Sequence, residues 1–287
     1  MYYGLILLSV VMFGGCFALQ DVYRKMRGSS LIISLEVAFV GSIAGVIILL
    51  VFNGFKIEFT LFTFIIAFFS ALSGIAFTYC SFKALDTINL SLFSLFSMLG
   101  GMVLPFLQGI VFYSESFTLA KALCLLLIFL ALCLTVSRGE KKNGTVYYVG
   151  IFVLNGMSGV LSKIFASSSF DKTSSLGYSI WIAICTAVLS GSLWLLITRN
   201  QKEKKPFPIK ALGISAAQGS VNRVANLLLV VALAHVDASV QYPMVTGGVM
   251  IVSTLISFFG SKKPSKKEAL SVILAFVGLL LLFIVPV

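Results

Sequence analysis

The sequence alternates between long apolar runs and short polar connections throughout its length. A helix needs about 20 apolar residues to cross the hydrocarbon core of a bilayer, and each run is close to that length. No run alternates with period two, as a strand of a membrane barrel would. We therefore predict ten transmembrane helices, at Tyr3–Gln20, Leu31–Phe52, Thr60–Phe82, Leu90–Phe112, Thr118–Val136, Val146–Phe165, Tyr178–Thr198, Ala211–Ala234, Val240–Phe259 and Ala269–Val287.

The composition agrees with a chain that is solvated by lipid. Of the 287 residues, 59% are hydrophobic and 11% are charged, whereas soluble domains carry about 25% charged residues. The sequence therefore predicts an all-α polytopic membrane protein with no room for a soluble catalytic domain. We expect the first run to be a span and not a cleaved signal peptide, because no basic segment or small-residue cleavage site accompanies it.

The chain divides into two halves of similar length. A polar connection at 138–145 leaves five predicted spans on each side, so we predict one five-helix repeat over 1–137 and another over 146–287. Shifting one half by 142 positions places Gly14 on Gly156, and a shift of 148 places Gly100 on Gly248. Because each half holds an odd number of spans, the repeats would be inverted relative to each other, as in many secondary transporters.

The basic residues predict how the chain is oriented. Sixteen Lys and Arg residues lie in odd-numbered connections and four lie in even-numbered connections. Cytoplasmic connections of membrane proteins are enriched in Lys and Arg. We therefore expect the odd connections in the cytoplasm and both termini outside the cytoplasmic membrane. The net charge of +11 is explained by this topology, so it does not indicate a nucleic-acid partner.

Arg223 is the residue most indicative of function. It lies 12 residues into the eighth predicted span, or about 18 Å at 1.5 Å per residue, which is past the middle of the membrane. A charge at that depth is costly unless it faces water, a partner or a ligand. Arg223 is therefore either a ligand-binding residue or a structural residue that holds helices together, as half of an ion pair or capped by backbone carbonyls.

Uncharged polar residues at membrane depth supply the other candidates. Asn222 and Asn226 share one helical stripe with Gln218, next to Arg223. Amide and phenol groups in other spans offer further hydrogen bonds. The predicted substrate-binding residues are Arg223, Asn222, Asn226, Gln241, Tyr242, Asn155 and Tyr79.

Glu36 is the candidate for energy coupling. It lies about 8 Å from the start of the second predicted span, so it could also be an interfacial carboxylate that reaches water. An axial gap of about 10 Å disfavours a direct pair with Arg223. We predict an unpaired, titratable Glu36 that couples transport to protons, with sodium as the other candidate coupling ion.

Several motifs of catalysis and metal binding are missing from the sequence. His235 is the only histidine, and the five cysteines lie within apolar runs without CxxC spacing. There is also no GxSxG motif and no phosphate-binding loop. We therefore predict no enzyme activity, no cofactor and no metal site.

Ten spans in two halves, with a fourth span ending in Phe112-Tyr-Ser-Glu115 before a Leu/Ala-rich fifth span, resemble the EamA-type branch of the drug/metabolite transporter superfamily. That branch typically has an acidic turn before the last span of each repeat, followed by a Gly- and Leu-rich helix. Glu115 matches this turn, and 275–280 resembles the final helix. Lysines replace the second acidic turn, and the first span lacks the membrane-embedded glutamate of small multidrug-resistance relatives.

The predicted function is secondary transport of a small polar organic metabolite by alternating access, with Arg223 favouring an anionic or zwitterionic substrate. Three alternatives remain at this stage: a flippase for a phosphorylated lipid, an exporter of organic cations or amines, and a non-transporting scaffold or receptor subunit. The partners expected are a small-molecule substrate and the lipid bilayer, with the protein acting as a monomer or homodimer.

Overall fold

The described part of the chain is all-helical. The computed structural model describes residues 2–113, 145–199, 208–233, 235–236, 238–259 and 264–284, and eight positions between 118 and 131. No strand occurs among them. Their nine helices are α1 (Tyr2–Arg27), α2 (Leu31–Phe52), α3 (Leu61–Thr87), α4 (Leu90–Tyr113), α5 (Thr145–Ser167), α6 (Ser175–Thr198), α7 (Ile209–Leu233), α8 (Ala238–Phe258) and α9 (Lys266–Ile284).

Polar residues set the helix starts, as the local sequence requires. The side chains of Ser30, Thr60 and Ser174 accept hydrogen bonds from backbone N–H groups in the first turns of α2, α3 and α6. Gly28, at φ 96, makes the left-handed turn between α1 and α2. The second predicted span has the same bounds as α2, because a cap and a glycine turn precede it.

Two helices run past their predicted ends by more than one turn. α1 continues beyond Gln20 and α3 beyond Phe82, because hydropathy marks the apolar limit of a span and not the end of its helix. The added turns carry charges that pair with each other: Arg24 contacts Asp21 at 2.8 Å and Asp86 at 2.7 Å.

Six of the described helices, α1 to α6, contain apolar stretches that are long enough to cross a membrane. The chain is therefore a multi-pass membrane protein. α7 has 25 residues but does not reach the same hydropathy, because the polar stripe around Arg223 lies within it. Most of the predicted span Thr118–Val136, and the connection before Thr145, lie outside the described residues.

Helices of the first half pack mainly against helices of the second. α1 lies against α7 and α8, α2 against α6 and α7, α3 against α5 and α6, and α4 against α5 and α8. A large apolar cluster that includes Phe93, Leu99, Ile151 and Met250 fills one part of this interface. The centre of the molecule is thus built by both halves.

Glycines allow some of these helices to approach very closely. A Cβ atom on Gly219 of α7 would collide with the backbone of Gly41 in α2. Small residues at such crossings are common in membrane proteins, since they replace hydrophobic burial with close van der Waals packing. The α2–α7 crossing is therefore a contact of backbone on backbone.

Candidate functional site

A cavity of about 330 Å³ lies between the two halves, lined by residues from α1 to α8. The lining residues come mostly from the central turns of these helices, which places the cavity near the middle of the bundle. The cavity is large enough for a small organic molecule.

Among the described residues that line this cavity, Arg223 alone is charged. Its aliphatic stem packs over Gly45 of α2, where a Cβ atom would lie 2.7 Å from its Cγ. Its Nη2 donates a long hydrogen bond of 3.4 Å to Thr186 Oγ1. Within the described part of the chain, no carboxylate lies within 4.0 Å of the guanidinium. The structural ion pair considered from the sequence is therefore absent from the described residues.

Three amide side chains of the cavity are oriented by main-chain carbonyls. Asn155 Nδ2 donates to Ser97 O at 2.6 Å, and Gln241 Nε2 donates to Leu229 O at 2.8 Å. Asn226 Nδ2 donates to Asn222 at its backbone oxygen, 2.8 Å away, and its side-chain oxygen, 3.2 Å away. In each of the three amides at least one N–H group is engaged by the protein.

Six of the eight residues singled out from the sequence line this one cavity. They are Arg223, Asn222, Asn226, Gln241, Tyr242 and Asn155. Tyr79 does not line it and instead packs edge-on against Tyr147, with ring centroids 6.1 Å apart. Tyr79 had been selected only for its depth in the span, and depth does not determine which face of α3 it occupies.

Glu36 lies outside the cavity, and the expectation of an unpaired carboxylate was wrong. Its Oε2 accepts from Arg27 Nη2 at 3.0 Å, and its Oε1 accepts from Tyr23 Oη at 2.6 Å. The pair forms because α1 extends to Arg27 and the turn at Gly28 brings α2 back beside it. Hydropathy ends the predicted first span at Gln20, whereas α1 continues to Arg27.

Tyr178 is a cavity residue that the sequence analysis did not select. Its hydroxyl lies 2.9 Å from Ser70 Oγ, and its ring stacks on Phe165 with centroids 4.1 Å apart. Thr186 and Gln20 also line the cavity. Single hydroxyls and amides near span ends give little signal in a sequence, because they often bond to helix carbonyls.

At one end of the bundle, the α2–α3 loop contacts the start of α6. Glu58 Oε2 accepts from Ser174 N at 2.7 Å, and Trp181 Nε1 donates to Glu58 O at 2.7 Å. The backbone N–H of Ser174 lowers the pKa of the Glu58 carboxyl below its ordinary value, because it stabilises the ionised form. A carboxylate at a helix N-terminus is also favoured by the helix dipole.

No metal site is formed by the residues that the structure describes. Among them, no group of three or more His, Cys, Asp or Glu residues is placed to hold an ion. Glu115, which carried part of the family resemblance, lies outside the described residues.

No protein-family model matches this sequence, and no curated protein matches it either. The chain is similar to a solved structure described only as "Crystal structure of protein", with a TM-score of 0.60 over 96% of each chain. The two sequences are 14% identical, so the similarity concerns the fold alone.

Proposed function

We propose that this protein is a secondary transporter of small polar organic metabolites, preferentially anionic or zwitterionic ones, that works by alternating access in the cytoplasmic membrane. The observation that carries the proposal is Arg223, a cation that lines a central cavity without a carboxylate partner among the described residues. Such a charge is stabilised when an anionic ligand binds. Alternating access would expose the cavity to one side of the membrane at a time.

Helix directions support an inverted repeat. Arg24 pairs with Asp86, so α1 and α3 end on the same side. Thr173 N donates to Thr63 Oγ1 at 3.1 Å, which puts the start of α3 beside the start of α6. α5 ends on the side where α3 and α6 start, because Lys172, just before α6, donates to the carbonyl of Phe165 near the end of α5. This is the side opposite to the one where α1 ends. α1 and α5 therefore run in opposite directions, as inverted counterparts would.

Glycine contacts support the same repeat at the level of single residues. A Cβ atom on Gly14 would collide with Val252, and one on Gly156 would collide with Leu104. The shift of 142 takes Gly14 to Gly156, and the shift of 148 takes Leu104 to Val252. The Gly14–Val252 and Gly156–Leu104 contacts therefore join equivalent positions, with the two halves exchanged.

A second pair of contacts obeys the same two shifts. A Cβ atom on Gly100 would collide with the backbone of Phe152, and one on Gly248 would lie 2.8 Å from Val10 Cγ1. The shift of 148 takes Gly100 to Gly248, and the shift of 142 takes Val10 to Phe152. These two correspondences favour two equivalent halves around the cavity. We extend the proposal to membership of the drug/metabolite transporter superfamily, EamA-type branch.

The alternatives fit the cavity less well. An exporter of organic cations would need a negative or neutral wall, whereas the only charge on the described lining is positive. A flippase for a phosphorylated lipid could use Arg223 but needs a groove open to the bilayer. Flux of a soluble metabolite, measured with the purified chain alone, would separate the transporter from both the flippase and a passive scaffold.

The test begins with a metabolite screen. Compounds that raise the melting temperature of the purified protein bind its folded state, and each is then offered to proteoliposomes as a labelled substrate. We expect uptake by the wild type, loss of uptake by Arg223→Gln, and wild-type uptake by Tyr79→Phe, which alters a residue outside the cavity. Wild-type uptake by Arg223→Gln would refute the role of Arg223.

A further inference from the structure

Helix carbonyls fix the orientation of two amides that line the cavity. A backbone carbonyl can only accept a hydrogen bond, so the amide nitrogen must be the atom that faces it. Asn155 donates to Ser97 O and Gln241 donates to Leu229 O. This bond uses one of the two N–H groups of each amide and leaves the amide oxygen, which only accepts, together with the second N–H.

The oxygen of Gln241 is in particular need of a donor. Gln241 is 2% exposed, and its Oε1 is buried without a hydrogen-bond partner. Buried polar atoms are almost always hydrogen-bonded, and an unmade bond of this kind is destabilising. Gln241 lines the cavity, so a ligand N–H or O–H group that reaches this oxygen would supply the missing hydrogen bond.

Pro105 of α4 adds an acceptor on the main chain. Proline has no N–H, so the carbonyl of Gly101, four residues earlier, receives no intrahelical hydrogen bond from it. Gly101 lines the cavity, and its carbonyl oxygen faces Gly159 of α5, which also lines it. The cavity lining therefore includes acceptor oxygens on Gly101, Asn155 and Gln241. Arg223, in contrast, can only donate hydrogen bonds.

We infer that the substrate is an organic anion that also carries hydrogen-bond donors, with Arg223 binding its anionic group and the oxygens of Asn155, Gln241 and Gly101 binding the donors. The inference rests on the proposed function and narrows it. Simple monocarboxylates satisfy Arg223 alone, and amines without an anionic group leave its charge uncompensated. Donors of the required kind occur as hydroxyl groups or as a primary ammonium group.

The test uses five compounds of similar length and the purified full chain. Gluconate supplies an anion with hydroxyl donors, norleucine an anion with a primary ammonium, and hexanoate an anion without donors. N,N,N-trimethylnorleucine keeps both charges but has no N–H, and pentylamine has no anion. Binding is measured at millimolar concentration by the shift in melting temperature and by calorimetry.

We expect gluconate, norleucine or both to bind at least about tenfold more tightly than hexanoate, because a hydrogen bond to a matched acceptor contributes on that scale. Comparing gluconate with norleucine identifies the source of the donors. Trimethylnorleucine should bind no better than hexanoate, and pentylamine should not bind. Arg223→Gln should lose all binding, with Tyr79→Phe as the matched control.

Three results would overturn the inference: hexanoate or trimethylnorleucine binding as tightly as the donor-bearing acids, pentylamine binding, or none of the five compounds binding. The proposed transport function is judged separately, by the metabolite screen and flux measurement. A transported anion without donors would therefore refute the selectivity and leave the transporter standing. These arms use the wild-type chain, so they do not depend on whether a cavity variant folds.

Discussion

Gly45 of α2 and Arg223 of α7 are fitted to each other: the stem of the arginine occupies the space that any larger residue at position 45 would need. A Cβ atom at Gly45 would lie 2.7 Å from Cγ of Arg223 and 3.6 Å from its Cβ. Gly45 thus leaves the space that the Arg223 side chain occupies, and so determines the position of its guanidinium, the only charge on the described cavity lining.

We predict that Gly45→Ala displaces the guanidinium and weakens substrate binding about tenfold, because a charged hydrogen bond is lost on that scale. Folding should be less affected, since the arginine stem can shift. The measurements are the apparent Km of uptake and the melting temperature. Gly213→Ala, on the same helix as Arg223 and with nothing within 4 Å of its added Cβ, is the control. Equal kinetics for Gly45→Ala and wild type would contradict the fit.

Glu36 and Arg27 form an ion pair whose side chains are 6% and 14% exposed. Removing one partner of a buried pair leaves an uncompensated charge, so Glu36→Gln should reduce the free energy of unfolding by on the order of 3 kcal/mol. Lys25→Gln breaks a pair in which the lysine side chain is 42% exposed, and it should cost less than about 1 kcal/mol. Unfolding in a detergent titration measures both. Similar losses for the two variants would show that the Glu36 pair is not effectively buried.

The same Glu36→Gln variant tests the coupling hypothesis from the sequence. If Glu36 is the proton-coupling residue, substrate exchange survives in the variant but accumulation driven by a pH gradient is lost. If the pair with Arg27 is structural, accumulation per folded molecule is unchanged. Uptake is measured in proteoliposomes with and without an imposed pH gradient, normalised to folded protein.

Glu58 should make stability depend on acid pH. Its pKa is lowered in the folded state, so its stabilising effect is present above the ordinary carboxyl pKa and is lost as the pH falls through the lower folded value. Glu58→Gln should therefore melt earlier than wild type at neutral pH, and the difference should shrink toward pH 3. Melting curves across this range measure the effect. Asp171→Asn, which alters an exposed acid in the connection between α5 and α6, is the control, and a constant gap between Glu58→Gln and wild type would exclude the mechanism.

The topology is tested with single cysteines placed at two exposed lysines. Lys56 lies in the loop after α2, and Lys210 lies in the first turn of α7. From the distribution of basic residues we expect the cysteine at position 56 to react with an impermeant maleimide in intact cells. The cysteine at position 210 should react only after permeabilisation. The reverse result would invert the orientation of the chain without changing its fold.

Periodicity and hydropathy predicted the α2 bounds and came within a few residues of most other helix bounds, because apolar length is what a bilayer demands of a span. The candidate residues of α7 and α8 were found because amides and an arginine are conspicuous in apolar helices. Tyr178 was missed because a tyrosine near a span end is common at membrane interfaces. The partner of Glu36 was missed because hydropathy does not show how far a helix continues beyond the apolar part of a span.

The backbone contact between Gly41 and Gly219 determines how far the parts of α7 can move. Because backbone meets backbone at the Gly41–Gly219 contact, this point of the crossing can serve as a pivot between the halves. Arg223 lies four residues from Gly219, about 6 Å along the axis, whereas the start of α7 at Ile209 lies about 15 Å away. A tilt of roughly 10° would carry the helix end by about 3 Å and Arg223 by about 1 Å. Arg223, the proposed substrate-binding charge, would therefore move little during such a tilt, whereas the end of the helix would move far enough to open or close a path.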